Sequence, residues 1–189
     1  MKDIKIDELH KMSSKIDSTQ EDTYLKTYPI FIQYFKDQNE LTENNIIIGI
    51  SLVYSWMPTI LKNLNLDSIK EATEILNKAR SHKRINQNEL ETLINTFNNS
   101  LVGTSKLLHF INPNMYAIWD SKVYSVLYPN DSNYSTAKNT YLYLKYLEWI
   151  DGIKQESTFD EFYQKMKTLL GNDITEFRAV EYALFKKAN

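Results

Sequence analysis

The chain has 189 residues, 42% of them hydrophobic and 24% charged, with a net charge of -2. That length suffices for one compact domain or two small lobes, and the acidic balance gives no general attraction to a phosphate backbone. With no cysteine in the sequence, disulfides, thiolate nucleophiles and cysteine-ligated metals are excluded.

The N-terminal run MKDIKIDELHKM carries acids and no apolar core, so it does not read as a signal peptide. No run approaches the roughly 18 apolar residues of a spanning helix. The expectation is a cytoplasmic protein with no membrane partner.

Ile4, Leu9, Met12 and Ile16 fall near helical spacing and predict a first helix. Asp22 or Thr23 starts a second, with Tyr24, Tyr28, Phe31, Ile32 and Phe35 inward and Pro29 marking a late start or a kink. Thr42 is placed to cap a third helix that runs through Ile46, Ile50, Val53 and Met57 and ends or bends at Pro58. Ser68 with Glu71, and Asn86 with Glu89, have capping-box spacing and open the next two helices. The first of these ends in the basic run RSHKR, which suits a helix C-terminus. Asn98, Asn99 and Ser100 close the second and lead to Leu101-Val102-Gly103.

Gly103 takes a positive φ at no steric cost and would allow a tight reversal between helices. Thr104 or Ser105 then caps the following helix, whose N-terminal amides would form a phosphate site. A plain inter-helix turn would show the same residues. Lys106 falls in the first turn of that helix, where the positive end of the dipole favours the neutral, nucleophilic amine; a surface lysine is the alternative. His109, one turn on, is either a phosphate contact or a partly buried, hydrogen-bonded helix residue. Asn112-Pro113 breaks the helix. The apolar run Ala117-Ile118-Trp119 follows, then Asp120 as N-cap of SKVYSVL. Trp119 is a candidate to stack on a base, although tryptophan in an apolar run is usually core.

Tyr128-Pro129-Asn130-Asp131 reads as a turn, and residues 134–150 as a Tyr- and Leu-rich helix. Thr158 with Glu161 opens a helix that ends at Leu170 with Gly171 as C-cap. Asp173 with Glu176 opens the last, carrying Phe177, Val180, Leu184 and Phe185. The fold class is therefore all-α, with about eight to ten helices. It is read as a single helical domain over 1–189, or two lobes with residues 20–130 central and 1–19 plus 131–189 around them. His10, His82 and His109 lie far apart and no metal or nucleotide motif occurs, so neither metal nor cofactor is expected.

Leu101-Val102-Gly103-Thr104-Ser105-Lys106, an apolar helix, and Ile118-Trp119-Asp120-Ser121-Lys122-Val123 together resemble the helix-hairpin-helix DNA glycosylase superfamily, in its 8-oxoguanine glycosylase branch. The resemblance covers about 27 residues. It implies DNA as partner and base excision, a hydrolase activity with an associated lyase. Lys106 would be the amine that attacks the sugar and forms a Schiff base, and Asp120 would activate it or steady the oxocarbenium ion. Gly103, Thr104, Ser105, His109, Trp119 and Lys122 would contact DNA, with Lys83, Arg84, Lys122 and Lys138 as a basic rim. The run Arg178–Leu184 resembles bacterial proteins of unassigned role that are similar to these glycosylases. The competing reading is a non-catalytic helical binding module for nucleic acid or protein.

Overall fold

The computed structural model describes residues 1–16, 23–56, 60–81, 83–131 and 138–188. Pro58, His82 and residues 134–137, all singled out from the sequence, lie outside them. The helices are α1 (Ile6–Ser13), α2 (Thr23–Lys36), α3 (Glu43–Ser55), α4 (Ile69–Arg80), α5 (Gln87–Thr96), α6 (Leu101–Ile111), α7 (Ser121–Leu127), α8 (Thr140–Ile153), α9 (Phe159–Leu170) and α10 (Glu176–Lys187). A 3-10 turn, Leu66–Ser68, precedes α4. Among the described residues no strand forms; Leu64 and Phe97 share one isolated antiparallel bridge. The fold is all-α. Among the described residues, no helix is long and apolar enough to cross a membrane.

The chain divides into two compact units. One comprises Met1–Asp22 with Ala117–Asn189, and the other Thr23–Tyr116.

In the Thr23–Tyr116 unit, α6 packs against α2, α3, α4 and α5. Local signals set the helix starts. Thr42 and Asn45 form a reciprocal capping box at α3, and Asn86 and Glu89 do the same at α5. Ser68 departs from its expected role. Its hydroxyl engages Asn65 O and Thr96 Oγ1 instead of a helix N–H, because the 3-10 turn occupies the place of a cap. Helix α2 runs through Pro29 from Thr23. The core here includes Tyr28, Phe35, Ile46, Ile50, Leu76, Leu90, Leu93 and Phe97, each under a tenth exposed.

The reversal between α5 and α6 is made by Asn98 and Asn99, at φ 62° and 49°. This corrects the assignment of the turn to Gly103. Asparagine tolerates the left-handed region better than most side chains. Asn98 also accepts from Lys62 N and Asn63 N, each at 3.0 Å, which ties the preceding loop to the turn.

In the other unit, α1 lies on α9 and α10, and α7 on α10. Its core draws on Leu9, Trp119, Tyr143, Tyr146, Phe162, Met166, Phe177 and Leu184. Gly171 closes α9 at φ 110°, a conformation that suits glycine. Thr175, not Asp173, caps α10, accepting from Arg178 N. The cap must stand directly before the first helical residue, Glu176, and Asp173 is two positions too early.

Asn99→Ala is expected to cost about 1 kcal/mol in chemical denaturation, and Asn99→Gly much less, since only the alanine keeps a Cβ at positive φ. Burial raises the Glu89 carboxyl pKa, but the Lys78 ammonium, at 2.5 Å, and the Asn86 N–H outweigh that and hold it below the usual value. Its stabilising contribution is therefore complete above the unfolded carboxylate pKa and lost as pH falls through the lower folded value. The urea midpoint of wild type is expected to fall more steeply than that of Glu89→Gln on acidification below about pH 4.

Candidate functional site

Helix α6 begins at a serine. Ser100 lies in an extended conformation, and its Oγ accepts from the Gly103 N–H at 3.1 Å. Thr104 and Ser105 are therefore not caps. Both are fully buried inside the helix, where Ser105 Oγ donates back to Val102 O at 2.9 Å. The sequence did hold the signal, a serine three residues before Gly103, but the glycine drew the turn assignment to itself.

Gly103 has a packing role. A Cβ there would stand 2.6 Å from Tyr54 Oη and 2.9 Å from its Cε2. The missing side chain is the space in which the Tyr54 ring lies. Tyr54 Oη and Thr104 Oγ1 are both buried without a hydrogen-bond partner.

Of the eleven α6 residues, nine are buried. Val102 and Lys106 are the two that reach partial exposure, and four residues apart they share one stripe. Lys106 is the sixth residue of α6. It lies beyond the first turn, where the helix dipole acts, so the dipole does not supply the activation expected from the sequence.

The Lys106 Nζ lies 5.2 Å from the Trp56 ring centroid. Trp56, the C-cap of α3, is partly exposed. Its Nε1 donates to Thr27 Oγ1 at 3.1 Å, which fixes the ring plane. Tyr24, half exposed, meets Trp56 edge-on at 5.2 Å. Phe110 closes the inner side at 5.2 Å, with Phe31 against both rings. A partly exposed aromatic wall thus carries a cation on its rim. Nothing in sequence spacing joins position 56 to 106; hydrophobic periodicity finds a buried face, not the partner across it.

His109 is fully buried. Its Nδ1 is 2.6 Å from Tyr116 O, and a carbonyl oxygen only accepts, so Nδ1 carries the proton. Nε2 then accepts from the Tyr28 hydroxyl at 2.9 Å. This is a structural histidine, and its burial withdraws it from phosphate contact. Tyr116, in the loop after α6, has its hydroxyl pushed up to about 12 by burial and stays protonated.

In the other unit, Trp119 is fully buried, with ring contacts to Tyr124, Tyr143 and Tyr146. The base-stacking role considered for it meets a closed surface. The Tyr143 hydroxyl donates to Ala117 O at 3.2 Å and secures the approach to α7. Asp120 is the N-cap: its Oδ1 accepts from Lys122 N at 3.0 Å and Val123 N at 2.9 Å. The carboxylate remains partly exposed. Lys122 places its Nζ 4.5 Å from the Phe185 ring centroid. Of the other basic candidates, Lys83 and Lys138 are exposed, and Arg84 Nη2 donates to Met115 O at 3.0 Å. Lys106 and Asp120 belong to different units.

Among the described residues no group of three or more His, Cys, Asp or Glu stands ready to hold a metal ion. No family model, curated protein or solved structure matches this chain.

Gly103→Ala is expected to destabilise by about 1–2 kcal/mol despite alanine's better helix propensity, because the Tyr54 ring is enclosed. Tyr54→Phe removes the nearest atom and is expected to recover part of that loss in a double-mutant cycle. At position 120, Asn keeps an N-cap and Ala does not. Asp120→Asn is expected to shift stability by only a few tenths of a kcal/mol, and Asp120→Ala to cost about 1 kcal/mol.

Proposed function

We propose that this chain is a helix-hairpin-helix DNA glycosylase-like protein that takes an unstacked base against Trp56 and Tyr24, beside the amine of Lys106. The observation that carries the reading is the ammonium 5.2 Å from the centre of a partly exposed tryptophan ring. Aromatic faces accept any base by stacking, and an enzyme acting at the sugar needs its base out of the duplex.

The chemistry follows from those groups. A cation over an aromatic face favours the charged amine. A base that stacks on that same face displaces the ammonium and removes the stabilisation as substrate arrives. The amine gives its proton to solvent water and attacks the anomeric carbon. The carbon–nitrogen bond to the base breaks, and the base leaves with the electron pair. Opening of the sugar ring then gives the Schiff base, from which strand cleavage proceeds. The cytoplasm is the compartment that goes with this reading.

A second reading is favoured by the same contact. An ammonium steadied on tryptophan is a good binding group and a poor nucleophile. The protein would then hold unpaired DNA without cutting it.

Borohydride trapping separates the two. With oxidised-base and abasic duplexes, wild type is expected to give a covalent adduct, and Lys106→Met none. A Lys106→Met adduct equal to wild type's removes this lysine from the mechanism. Salt-sensitive binding without any adduct selects the second reading, with log affinity against log salt falling at about -0.7 per phosphate contacted on single strands. Trp56→Ala is expected to weaken binding of an abasic-site duplex less than that of a flipped-base duplex, since stacking contributes about 1–3 kcal/mol per base.

A further inference from the structure

Helix α2 meets Trp56 along one stripe. Tyr24, Thr27, Tyr28 and Phe31 fall at spacings of three, four and seven residues. Tyr24 and Phe31 touch the indole at 5.2 and 6.3 Å between ring centroids, and Phe110 of α6 touches it at 5.2 Å. Ring contacts of this kind tolerate a broad range of angles, and the aromatic χ2 torsion is soft. The contact with Thr27 is directional. Trp56 Nε1–H donates to Thr27 Oγ1 at 3.1 Å, and a hydrogen bond weakens steeply once it bends.

Thr27 is itself held. Its hydroxyl donates to Thr23 O at 2.9 Å, with Tyr24 O farther off at 3.4 Å, and its oxygen lone pairs face the indole. Bonding back to the preceding turn selects the threonine rotamer. This half-buried side chain therefore ties the indole to the first turn of α2, the turn that also carries Tyr24. Ring and anchor stand on one helix, and the angle of 88° between Tyr24 and Trp56 is set by that element. The angle bears on what the rings can bind. Neighbouring bases of a stacked run lie parallel, so two rings at right angles cannot both stack on such a run. The pair suits one base standing alone, on the ring that also faces the Lys106 ammonium.

We propose that Thr27 is a positioning residue. Its hydroxyl holds the Trp56 indole square to Tyr24, and the corner so formed takes a single unstacked base in preference to a base within a run. The choice of base as occupant rests on the function proposed above. The hold on the indole does not.

The test has two arms, both in the full chain. The first is indole N–H relaxation by NMR, with the Trp56 signal assigned by its loss in Trp56→Phe. Wild type is expected to show a rigid N–H vector, with an order parameter of about 0.85, and Thr27→Val one below about 0.6. Valine keeps the branched shape and removes the acceptor, and Thr27→Ser restores the acceptor and is expected to restore the rigid value. An order parameter in Thr27→Val equal to wild type's overturns the proposal. The second arm uses 2-aminopurine, whose fluorescence is quenched by stacking, as one bulged base in a duplex and as one base within a single strand. Wild type and Thr27→Ser are expected to bind the bulged duplex about tenfold more tightly than the strand, and Thr27→Val to lose most of that preference. DNA binding with a preference that Thr27→Val leaves unchanged overturns this inference and spares the function proposed above. Binding of neither DNA defeats that function and the base in the corner with it, while the indole arm still decides whether Thr27 holds the ring.

Discussion

A helix enclosed on nearly every side must choose which side chain it leaves in reach of solvent, and α6 leaves one charged residue. Four helices of its own unit surround it, and its residues are small or apolar where they meet them. Gly103, Thr104 and Ser105, which read in the sequence as a tight reversal and a helix cap, satisfy this packing demand instead. Their compactness lets the helix sit deep. Lys106 emerges because its position falls on the single stripe left open. Its long stem carries the charge to the rim beside the Trp56 ring. The functional reading depends on that enclosure, since it fixes the amine's location relative to the aromatic rings more firmly than a loop would.

Local capping chemistry was readable in the sequence; long-range pairing was not. Thr42, Asn86, Asp120 and Gly171 act where their spacing placed them. Each works through backbone groups within four residues of itself, so the sequence contains the whole interaction. Ser68 and Asp173 show the limit of such signals. A cap motif shifted by a 3-10 turn or by two residues keeps its spelling and loses its partner. The hairpin was misplaced for a related reason. Glycine is the usual residue of positive φ, but two consecutive asparagines serve as well and leave the glycine for packing. Trp56 against Lys106, Tyr28 against His109, and Tyr54 against Gly103 join positions far apart in the chain. No periodicity records such partners, and the candidate site consists largely of them.

Asp120 carries two demands at once. As a cap it spends one oxygen on two amide donors. As a partly exposed carboxylate it also presents charge at the end of a buried apolar run. The residues before it are rigid: Trp119 is wedged among three tyrosine rings, and Ala117 is held through its carbonyl. A carboxylate anchored this way has little conformational freedom left to lose.

The absent methyl group at Gly103 reaches further than the ring it admits. It lets α3 approach α6 until the Tyr54 ring touches the backbone. Trp56 ends that same α3, two residues past Tyr54, and Lys106 stands one turn along α6 from the glycine. The gap between tryptophan and amine is therefore gauged by a hydrogen atom at a position that touches neither. A larger residue there would act as a shim, lifting one helix off the other and widening the distance at which ring and ammonium face each other.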